Sequence, residues 1–456
     1  MFVAERYAAF LASTAAIPAT PRRMAVLAIL DLVAAALAGH STSGARAARQ
    51  AAPSIWGAGE APAWFTPTRL PVVGAAFANA AAASMLDLDD GHRAAAGHPG
   101  AAIIPAVLAA AHGRDISVER LLTAIVLGYE IAIRVGASRD LSRVDTLVSG
   151  RWVGQGVAAA VAWLRKLDAQ QIAQAMAIAG TSAPGLGPVA YSRVMGNHLK
   201  EGIAWATATG LASVDLAAAG FTAPIDLLDN PALFDHRALT AGLGQDWKIE
   251  KIYFKPYSCC RWVHAAIEAA RALQASHAID ARSIDRIKVE TFSRTLQLNN
   301  EPRPRTLEAA QYSVPFCLAL ALLEGEASLL PMTERALANR AITTLAERIS
   351  VELAPDLDAM FPGRVPARVE IGAHDQIYSS TVLAPKGEPS NPMTEAELVA
   401  KFRTLTTPVL GVARTRLLLS AIRAIEDDGL SPLFRQLSEP IEGAPDLMLD
   451  IGNAQA

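Results

Sequence analysis

The amino-acid sequence predicts a mainly α fold, in which a large all-α helical domain is interrupted by a smaller α+β domain. Hydrophobic residues make up 52% of the 456 residues and charged residues only 19%, a balance that suits compact helices packed through small side chains. Apolar residues recur at helical spacing along most of the chain. Two stretches of the middle region, residues 283–293 and 367–387, instead alternate like β-strands and are rich in Val, Ile and Thr.

Helical periodicity runs almost without interruption to about residue 250. The periodic stretches, separated by Gly or Pro, are AAFANAAAASMLDL, PAVLAAAHG, VERLLTAIVLGYEIAIRVGAS, GQGVAAAVAWLRKL, AQQIAQAMAIAG and IAWATATGLASVDLAAAG. In the middle region VHAAIEAARALQASH and VPFCLALALLEG are helical, and TEAELVAKFRTL and VARTRLLLSAIRAIED return to helical spacing near the end. We therefore predict a first helical part over residues 1–253, an α+β domain over 254–390 and a return to the helical domain over 391–456.

The composition argues against several partners. A net charge of −3 and a sequence pI near 6.3 provide no long-range attraction to a phosphate backbone, so we expect no nucleic-acid partner. The cysteines Cys259, Cys260 and Cys317 show no zinc-binding spacing and fit a reducing cytoplasm. The apolar stretch 24–40 contains Asp31, which favours a buried core helix over a membrane span or a signal segment. We expect a cytoplasmic protein with no membrane partner.

The stretch MLDLDDGHRAAAGHPG, residues 85–100, gathers acidic and histidine side chains in an otherwise apolar chain. It follows an Ala-rich helix, which we expect to end at about Asp89, and it forms a loop before a helix that begins near Ile104. On a helix end Asp87 and Asp90 would share a face. Three interpretations stay open: helix capping and solvation, a metal site, and an acid–base site around His98. The metal interpretation is the weakest, because the calcium-loop spacing fails and no paired-histidine motif is present.

A second polar cluster, GNHLKEGIAW at residues 196–205, directly precedes an apolar helix. Lys200 is either a solvated residue of the first helical turn or a functional one. A cation near a helix N-terminus opposes the helix dipole. If Lys200 lies there, this cost indicates a compensating role.

The third cluster, FKPYSCCRWVHAA at residues 254–266, lies at the predicted domain boundary, where ligand clefts are frequent. Lys255, Arg261 and His264 are cationic groups close together in sequence, and such a set suits the binding of a di- or tricarboxylate. The alternative is that Lys255 and Arg261 pair with acids in the contact between domains. Cys259 and Cys260 carry no catalytic cysteine signature and are expected to pack.

These clusters belong to longer stretches that match a known family in order and spacing. The matching stretches are LDLDDGHRAAAGHPG, GYEIAIRVG, LKEGIAWATATGLASVDLAAAGFTAP, FKPYSCCRWVHAAIEA and AAQYSVPFCLALAL. They resemble the MmgE/PrpD family, which includes 2-methylcitrate dehydratase, cis-aconitate decarboxylase and iminodisuccinate epimerase. The resemblance implies a helical domain built from both ends of the chain, an inserted α+β lid domain, an active site in the cleft, a homodimer, no organic cofactor and, for most members, no metal.

The resemblance also implies site residues. Carried over by position, these are Asp87 in D-x-D-D, His98 in H-P-G, Lys200 in K-E-G and Lys255 in K-P-Y, and His264 fits the same motif as Lys255. With neighbours added, the predicted catalytic residues are Asp87, His98, Lys200 and Lys255, and the predicted substrate-binding residues are Asp90, Arg261 and His264. No metal ligand is predicted.

The chain departs from the family pattern at three places. Gly91 stands where dehydratases and decarboxylases of the family usually have Thr. Their second histidine is missing, because SGRWVGQG offers Arg151 and Trp152 instead. Phe316 stands about where the decarboxylase has a tyrosine. Hydroxyl and imidazole groups that protonate a leaving group are thus expected to be fewer.

These residues lead to an expected mechanism. Chemistry in the family begins by removing a proton from carbon next to a carboxylate, so we predict His98 as the base, oriented by Asp87, while Lys200, Lys255 and Arg261 stabilise carboxylates. A lysine among cations can also have a lowered pKa and act as a second acid or base. Because the departures remove acids that a dehydratase needs, we favour epimerisation of a small dicarboxylate of the iminodisuccinate kind.

Other functions stay open. A 2-methylcitrate dehydratase-like lyase is the alternative within the family. A non-catalytic carboxylate-binding protein is the alternative of another class, and a metal-dependent hydrolase is the remaining enzyme class.

Overall fold

The computed structural model describes residues 1–141, 143–144, 146–184 and 196–441. The helices of the first half are α1 (Val3–Ser13), α2 (Ala19–Gly39), α3 (Ser43–Trp56), α4 (Val72–Ser84), α5 (Gly100–Ala111), α6 (Val118–Ala137), α7 (Val153–Leu164), α8 (Ala169–Thr181), α9 (Ile203–Ala218) and α10 (His236–Thr240). Those of the second half are α11 (His264–His277), α12 (Ser293–Leu296), α13 (Leu307–Gln311), α14 (Val314–Glu324), α15 (Glu334–Leu337), α16 (Arg340–Ala346), α17 (Pro355–Asp358), α18 (Glu395–Arg423), α19 (Ile425–Asp428) and α20 (Ser431–Ser438).

The strands are short and few by comparison. They are β1 (Ala61–Pro62), β2 (Arg69–Leu70), β3 (Gly91–His92), β4 (Ile252–Tyr253), β5 (Ile284–Thr291), β6 (Ile349–Leu353), β7 (Ala367–Ala373) and β8 (Gln376–Val382). The predicted mainly α class is confirmed.

The first hydrophobic core collects buried side chains from α1–α10 and from α18–α20. Its helices approach closely because glycine removes the side chain at their contacts. A Cβ atom at Gly156 of α7 would lie 2.5 Å from the carbonyl oxygen of Gly128 in α6, and one at Gly210 of α9 would lie 2.6 Å from that of Gly154. The small residues of the sequence therefore let these helices meet backbone to backbone.

The C-terminal helices reach the first core through a buried ion pair. Lys401 of α18 places its Nζ 2.6 Å from Asp31 Oδ1 of α2, and both side chains are almost fully buried. The same Nζ donates a hydrogen bond to the Leu88 carbonyl oxygen at 2.9 Å. The carboxylate that interrupts the apolar stretch 24–40 is thus neutralised by a residue from the far end of the chain.

The second core lies between a four-stranded sheet and the helices α11, α14 and α16. The strand order is β6-β5-β7-β8, with β5 parallel to β6 and both other pairs antiparallel. The predicted strand stretches 283–293 and 367–387 form β5 and the β7–β8 hairpin. Where the chain divides into independent domains stays a prediction.

Two details of the secondary structure differ from expectation. The helix before the acidic stretch ends at Ser84 instead of about Asp89, and the next one begins at Gly100 instead of near Ile104. The loop between α4 and α5 is therefore longer than predicted, and Asp87 and Asp90 do not share a helix face. The strand β6 was not predicted, because ISVEL alternates over five residues only.

Some helices of the described part are long and apolar enough to span a membrane by length and composition. These are Glu395–Arg423 and the bent pair α2 with α3. Core helices pass the same test, and α2 has most of its side chains buried. The absence of a membrane partner stays a prediction.

Candidate active site

The site loop, defined as residues 85–99 between α4 and α5, carries the first predicted cluster. Within it β3 pairs antiparallel with β4. A further bridge joins His92 to Gly97 and folds the loop into a hairpin that leads into His98. Because Lys255 follows β4 by two residues, the β3–β4 pairing brings Lys255 beside the loop.

Asp87 and Lys255 form a buried ion pair. The φ angle of Asp87 is +54°, a left-handed conformation that aspartate tolerates, and Lys255 Nζ lies 3.0 Å from Asp87 Oδ1. Burial alone would raise the pKa of Asp87, but the charges of Lys255 and Lys200 outweigh burial and hold that pKa below its ordinary value. Burial also opposes the charge of Lys255, yet Asp87 raises the Lys255 pKa overall. Lys255 is therefore a stable ammonium, not a lysine of lowered pKa.

The two ring nitrogens of His98 face different partners. Nδ1 lies 2.8 Å from the Asp90 carbonyl oxygen, and because a carbonyl can only accept, Nδ1 carries the hydrogen. Nε2 lies 3.6 Å from Asp87 Oδ1 and 3.7 Å from Glu201 Oε1. In the neutral ring Nε2 therefore holds the free electron pair, as a base requires. The backbone carbonyl of Asp90 orients the ring, a task that the sequence had suggested for Asp87.

Asp89 lies behind His98 and affects its protonation. Its Oδ2 is 3.4 Å from His98 Nδ1, and the carboxylate is 1% exposed with no hydrogen-bond partner for either oxygen among the described residues. Burial lowers the pKa of His98, but Asp89 and Glu201 together raise the pKa above its ordinary value. His98 therefore keeps its second proton to higher pH than a histidine in water does.

Lys200 lies in a turn before α9, with a left-handed φ of +53°. Its Nζ donates to Gln311 Oε1 and lies 4.8 Å from the centre of the Tyr312 ring. Gln311 in turn donates from Nε2 to the Met85 carbonyl oxygen at 3.1 Å. Of the alternatives for Lys200, the solvated residue in the first helical turn does not apply, because the helix begins at Ile203. The ammonium is held by an amide and an aromatic ring instead.

Glu201 ties the second cluster to the first. Its Oε2 accepts hydrogen bonds from the backbone N–H of Ser149, at 2.9 Å, and from the Ser149 hydroxyl. The Ser149 hydroxyl oxygen accepts from the backbone N–H of His98 at 2.8 Å. Glu201 and His98 are thus held in one network through Ser149, although about 100 residues separate them in sequence.

The Arg261 guanidinium is held by hydrogen bonds to a carboxylate, to backbone carbonyls and to a histidine. Its Nε donates to Glu388 Oε1 at 2.9 Å, and Nη1 and Nη2 donate to the carbonyl oxygens of Lys386 and Pro385. Nη1 also lies 3.0 Å from His264 Nδ1. Burial lowers the pKa of His264 well below its ordinary value, and Arg261 adds to this. His264 is therefore a neutral partner of Arg261 and is not one of the cations predicted to clamp a carboxylate.

Asp90 has a different environment from the one predicted. Its Oδ1 accepts from the backbone N–H of Gly100 at 3.0 Å, and its Oδ2 accepts from the Tyr129 hydroxyl at 2.6 Å. Burial raises the pKa of Asp90 to about 7. Both oxygens are occupied at the start of α5, so the side chain holds the site loop against that helix and does not face the cavity.

A cavity of about 60 Å³ opens beside the site loop. Of the predicted residues, His98, Lys200 and Arg261 line it. The ion pair of Asp87 and Lys255 does not belong to the lining. Side chains that the sequence had not indicated as site residues complete the polar part of the lining: Arg93, Asn197, Glu201, Tyr253 and Tyr312.

Asp87, Asp89 and His98 also form a cluster of the kind that can hold a metal ion, with ligand atoms within 4.8 Å of one another. The local chemistry fits a metal poorly. Lys255 already neutralises Asp87, and Nδ1 of His98 is engaged by the Asp90 carbonyl oxygen. A divalent ion here would have to displace an ammonium.

Comparison with known proteins identifies the family. The MmgE/PrpD N-terminal domain matches residues 5–243, and the MmgE/PrpD C-terminal domain matches residues 257–427. The chain belongs to the MmgE/PrpD family. Two relatives from Aspergillus terreus, each described as cis-aconitate decarboxylase, are 27% and 26% identical over 417 and 414 residues, and each alignment covers 82% of this chain and 83% of the relative.

The departures of this MmgE/PrpD chain look different in three dimensions. A Cβ atom at Gly91 would lie 2.3 Å from the Tyr253 hydroxyl oxygen, so Tyr253 fills the space that a larger residue 91 would take. Phe316 is fully buried in the second core. Tyr312, four residues earlier, lines the cavity. Two tyrosines therefore line the cavity, where the sequence alone suggested a shortage of hydroxyl groups.

The residues at the position of the missing second histidine do not line the cavity. Arg151 is exposed and Trp152 lies in the first core. Among the described residues that line the cavity, His98 contributes the imidazole. This MmgE/PrpD protein therefore places carboxylate, ammonium and phenol groups around one histidine.

The site residues that sequence reasoning missed had weak signals. Asp89 lies inside the D-x-D-D motif, and Glu201 directly follows Lys200. Tyr312 lies in AAQYSVPF, a stretch that carried the family resemblance without a role for this residue. Arg93 and Tyr253 meet through the β3–β4 pairing. No local sequence pattern predicts that pairing.

Proposed function

We propose that this protein is an acid–base lyase that removes a proton from carbon next to a carboxylate of a small di- or tricarboxylate. The observation that carries the proposal is His98. Its Nδ1 hydrogen is held by a backbone carbonyl, and its Nε2 lies on the side of Glu201, which lines the same cavity. This arrangement presents a basic nitrogen to a bound molecule.

The cations that line the cavity support a carboxylate substrate. Lys200 and Arg93 line the cavity with His98, whereas the buried charge of Lys255 is matched by Asp87. Removal of a proton next to a carboxylate places negative charge on the carboxylate oxygens, and fixed cations in a water-poor site stabilise that charge.

Lyase chemistry needs a proton donor as well as a base. In a dehydration the electrons of the C–H bond form a C=C bond while the departing hydroxide takes a proton. In a decarboxylation CO₂ departs and a proton is returned to carbon. Tyr312 is our candidate for this task, because it lines the cavity and its ring lies 4.8 Å from the Lys200 ammonium. The relatives named cis-aconitate decarboxylase also favour a lyase.

Epimerisation of a dicarboxylate of the iminodisuccinate kind is the second candidate. The observation in its favour is the lack of a second imidazole among the described cavity-lining residues. An epimerase needs only to return a proton to the opposite face of the carbon. Lys200 or Tyr312 would return it.

The test is proton NMR of the purified protein in D₂O with cis-aconitate, citrate, 2-methylcitrate and the stereoisomers of iminodisuccinate. A lyase produces an alkene or loses CO₂. An epimerase introduces deuterium with inversion and loses neither water nor CO₂. Binding without any exchange would identify a non-catalytic carboxylate-binding protein, and loss of turnover on chelation would identify a metal-dependent hydrolase.

The His98→Ala variant provides the matched comparison. Removal of a general base lowers the rate by roughly 10²- to 10⁴-fold, whereas His236→Ala, at an exposed histidine outside the cavity, leaves the rate unchanged. Equal rates for the parent and His98→Ala proteins would contradict the proposal.

Homodimer formation, a cytoplasmic location and function without an organic cofactor are part of the same proposal.

A further inference from the structure

Two arginines and one glutamate meet at a tyrosine ring on the wall of the cavity. Glu388 Oε1 accepts hydrogen bonds from Arg93 Nη2 and from Arg261 Nε. The guanidinium carbons of Arg93 and Arg261 each lie 5.0 Å from the centre of the Tyr253 ring. Because Glu388 supplies one negative charge against two positive ones, this group carries an excess positive charge in a largely buried place.

Two neighbours of this group, His92 and Tyr253, do not remove the excess. Burial, with the charges of Lys248 and Arg93, lowers the pKa of His92 to about 3, so His92 is neutral at physiological pH. Burial raises the pKa of Tyr253, so the phenol stays neutral too. A buried excess charge is stabilised by an anion.

The two arginines differ in the donors that they have left. Arg261 already donates to Glu388 and to two backbone carbonyls. Arg93 donates through Nη2 to Glu388, while its Nε is buried and has no hydrogen-bond partner among the residues that the structure describes. The Arg93 side chain is 13% exposed and lines the cavity. Arg93 is thus the arginine with hydrogen-bonding capacity for a bound molecule.

A planar guanidinium with free donors recognises a carboxylate better than a point charge does. Lys255 and His98 each have a carboxylate close by, whereas Arg93 and Arg261 share the single carboxylate of Glu388. We propose that Arg93, supported on the Tyr253 ring, is a specificity-determining residue that binds a second carboxylate of the substrate. This second carboxylate is distinct from the one next to the carbon that exchanges its proton at His98. The inference rests on the proposed function.

Calorimetric titration with succinate and with its mono-amide, succinamate, tests the proposal in the full-length protein. We expect Arg93→Ala to weaken succinate binding by roughly 10- to 100-fold, the range for a charge-assisted hydrogen bond, and to change succinamate binding by less than about 3-fold. Equal weakening of both ligands, or of neither, would overturn the role of Arg93.

Arg120→Ala is the matched control. Arg120 also lies over an aromatic ring, 4.5 Å from that of Trp163, but it is not part of the cavity lining. Its loss removes a stacked arginine without touching the cavity, so ligand affinity is expected to stay unchanged. If Arg93→Ala does not fold, Arg93→Lys and Arg93→Gln replace it, and the lysine variant is expected to keep part of the preference for succinate.

The support from the ring is tested separately. Tyr253→Phe keeps the aromatic face and is expected to retain succinate affinity, whereas Tyr253→Leu releases Arg93 and reduces the affinity. Loss of affinity in both variants alike would overturn the supporting role.

If the parent protein binds none of succinate, citrate and cis-aconitate, both this inference and the proposed function fail. If it binds and exchanges them but Arg93→Ala has no selective effect, the proposed function stands and this inference fails.

Discussion

His98 is buried, yet its pKa lies above its ordinary value. Burial alone lowers the pKa of an imidazole, and here the carboxylates of Asp89 and Glu201 outweigh burial. The folded protein therefore binds the second proton of His98 more tightly than the unfolded chain does. That contribution to stability is complete below the unfolded pKa of about 6.5 and is lost as pH rises through the folded pKa.

The substitution Asp89→Asn tests this balance. Because the negative charge behind Nδ1 disappears, the pKa of His98 should fall, and an activity that requires neutral His98 should begin at lower pH. NMR titration of the His98 ring and a pH–rate profile measure the two shifts. Glu308→Gln is the control, since Glu308 Oε1 lies 3.8 Å from His198 and the residue does not line the cavity. An unchanged His98 pKa in Asp89→Asn would contradict the prediction.

Tyr312 is the second residue whose chemistry can be isolated. Tyr312→Phe removes the proposed proton donor and keeps the ring beside Lys200, so formation of alkene or CO₂ should fall by roughly 10²- to 10⁴-fold. Deuterium exchange at carbon should fall less, because His98 is untouched. Both signals are read from one NMR time course. Tyr378→Phe, on β8 outside the cavity, should change neither rate, and parallel loss of both signals in Tyr312→Phe would argue for a purely structural role.

At the scale of elements, the β3–β4 pairing is the junction that assembles the site. It joins the site loop to the segment that carries Lys255. Glycine at position 91 is required there, because a Cβ atom would lie 2.3 Å from the Tyr253 hydroxyl oxygen. The departure of residue 91 from the family pattern is thus coupled to the tyrosine opposite it.

A double-mutant cycle on Gly91 and Tyr253 tests whether the two residues compete for the same space. Gly91→Ala should lower the free energy of unfolding by roughly 1–3 kcal/mol, as expected for an overpacked contact. The same substitution in a Tyr253→Ala background should cost clearly less, because the clash is gone. Urea unfolding of the four proteins measures both values. Additive costs would show that residues 91 and 253 do not compete for space.

The ion pair between α18 and α2 holds a second element in place. Lys401 neutralises Asp31 and donates to the carbonyl of Leu88, which lies between Asp87 and Asp89. It is a positioning residue, because it acts on the site only through the loop. The C-terminal helices thus influence the site without touching the cavity.

Lys401→Met should lower the free energy of unfolding by roughly 3–5 kcal/mol, since it leaves Asp31 buried and unpaired. In the double variant Asp31→Leu with Lys401→Met, stability should largely return while turnover stays reduced, because Leu88 still lacks its donor. Urea unfolding and the D₂O assay separate the two effects. Lys251→Met, in a half-exposed pair with Asp246, is the control and should cost at most about 1 kcal/mol. Full turnover in the double variant would contradict the positioning role.

At the scale of the whole molecule, the site draws on both hydrophobic cores. The site loop and Lys200 belong to the part built around the first core, and Gln311 and Tyr312 come from the part built around the second. A ligand that contacts both parts binds the folded protein and not the unfolded chain. Binding should therefore stabilise the entire molecule.

Thermal unfolding with added dicarboxylate measures this coupling. At a ligand concentration of about 100 Kd the stabilisation should be about 2.7 kcal/mol, seen as a rise in Tm. Lys255→Met should abolish the rise, because Asp87 is then left without its ion-pair partner and repels an anion. A Tm that does not change with ligand in the parent protein would show that the ligand does not bind the folded site.

The sequence by itself determined the fold class, the family resemblance and most of the site motifs, because these depend on local patterns. Helical spacing, strand alternation and the motifs around His98, Lys200 and Lys255 are all readable within about twenty residues.

The tertiary structure alone decided which atoms meet. In the folded protein Asp90 and His264 do not line the cavity, and Lys255 forms an ion pair with Asp87. Residues that the sequence had not indicated line the cavity instead: Glu201, Tyr312, Arg93 and Tyr253. The reason is physical: burial and charge pairing act between residues that are far apart in sequence, and they decide both the direction of each pKa shift and which donors stay free. A local pattern records that a polar residue is present, but only packing determines whether it faces substrate, solvent or another residue.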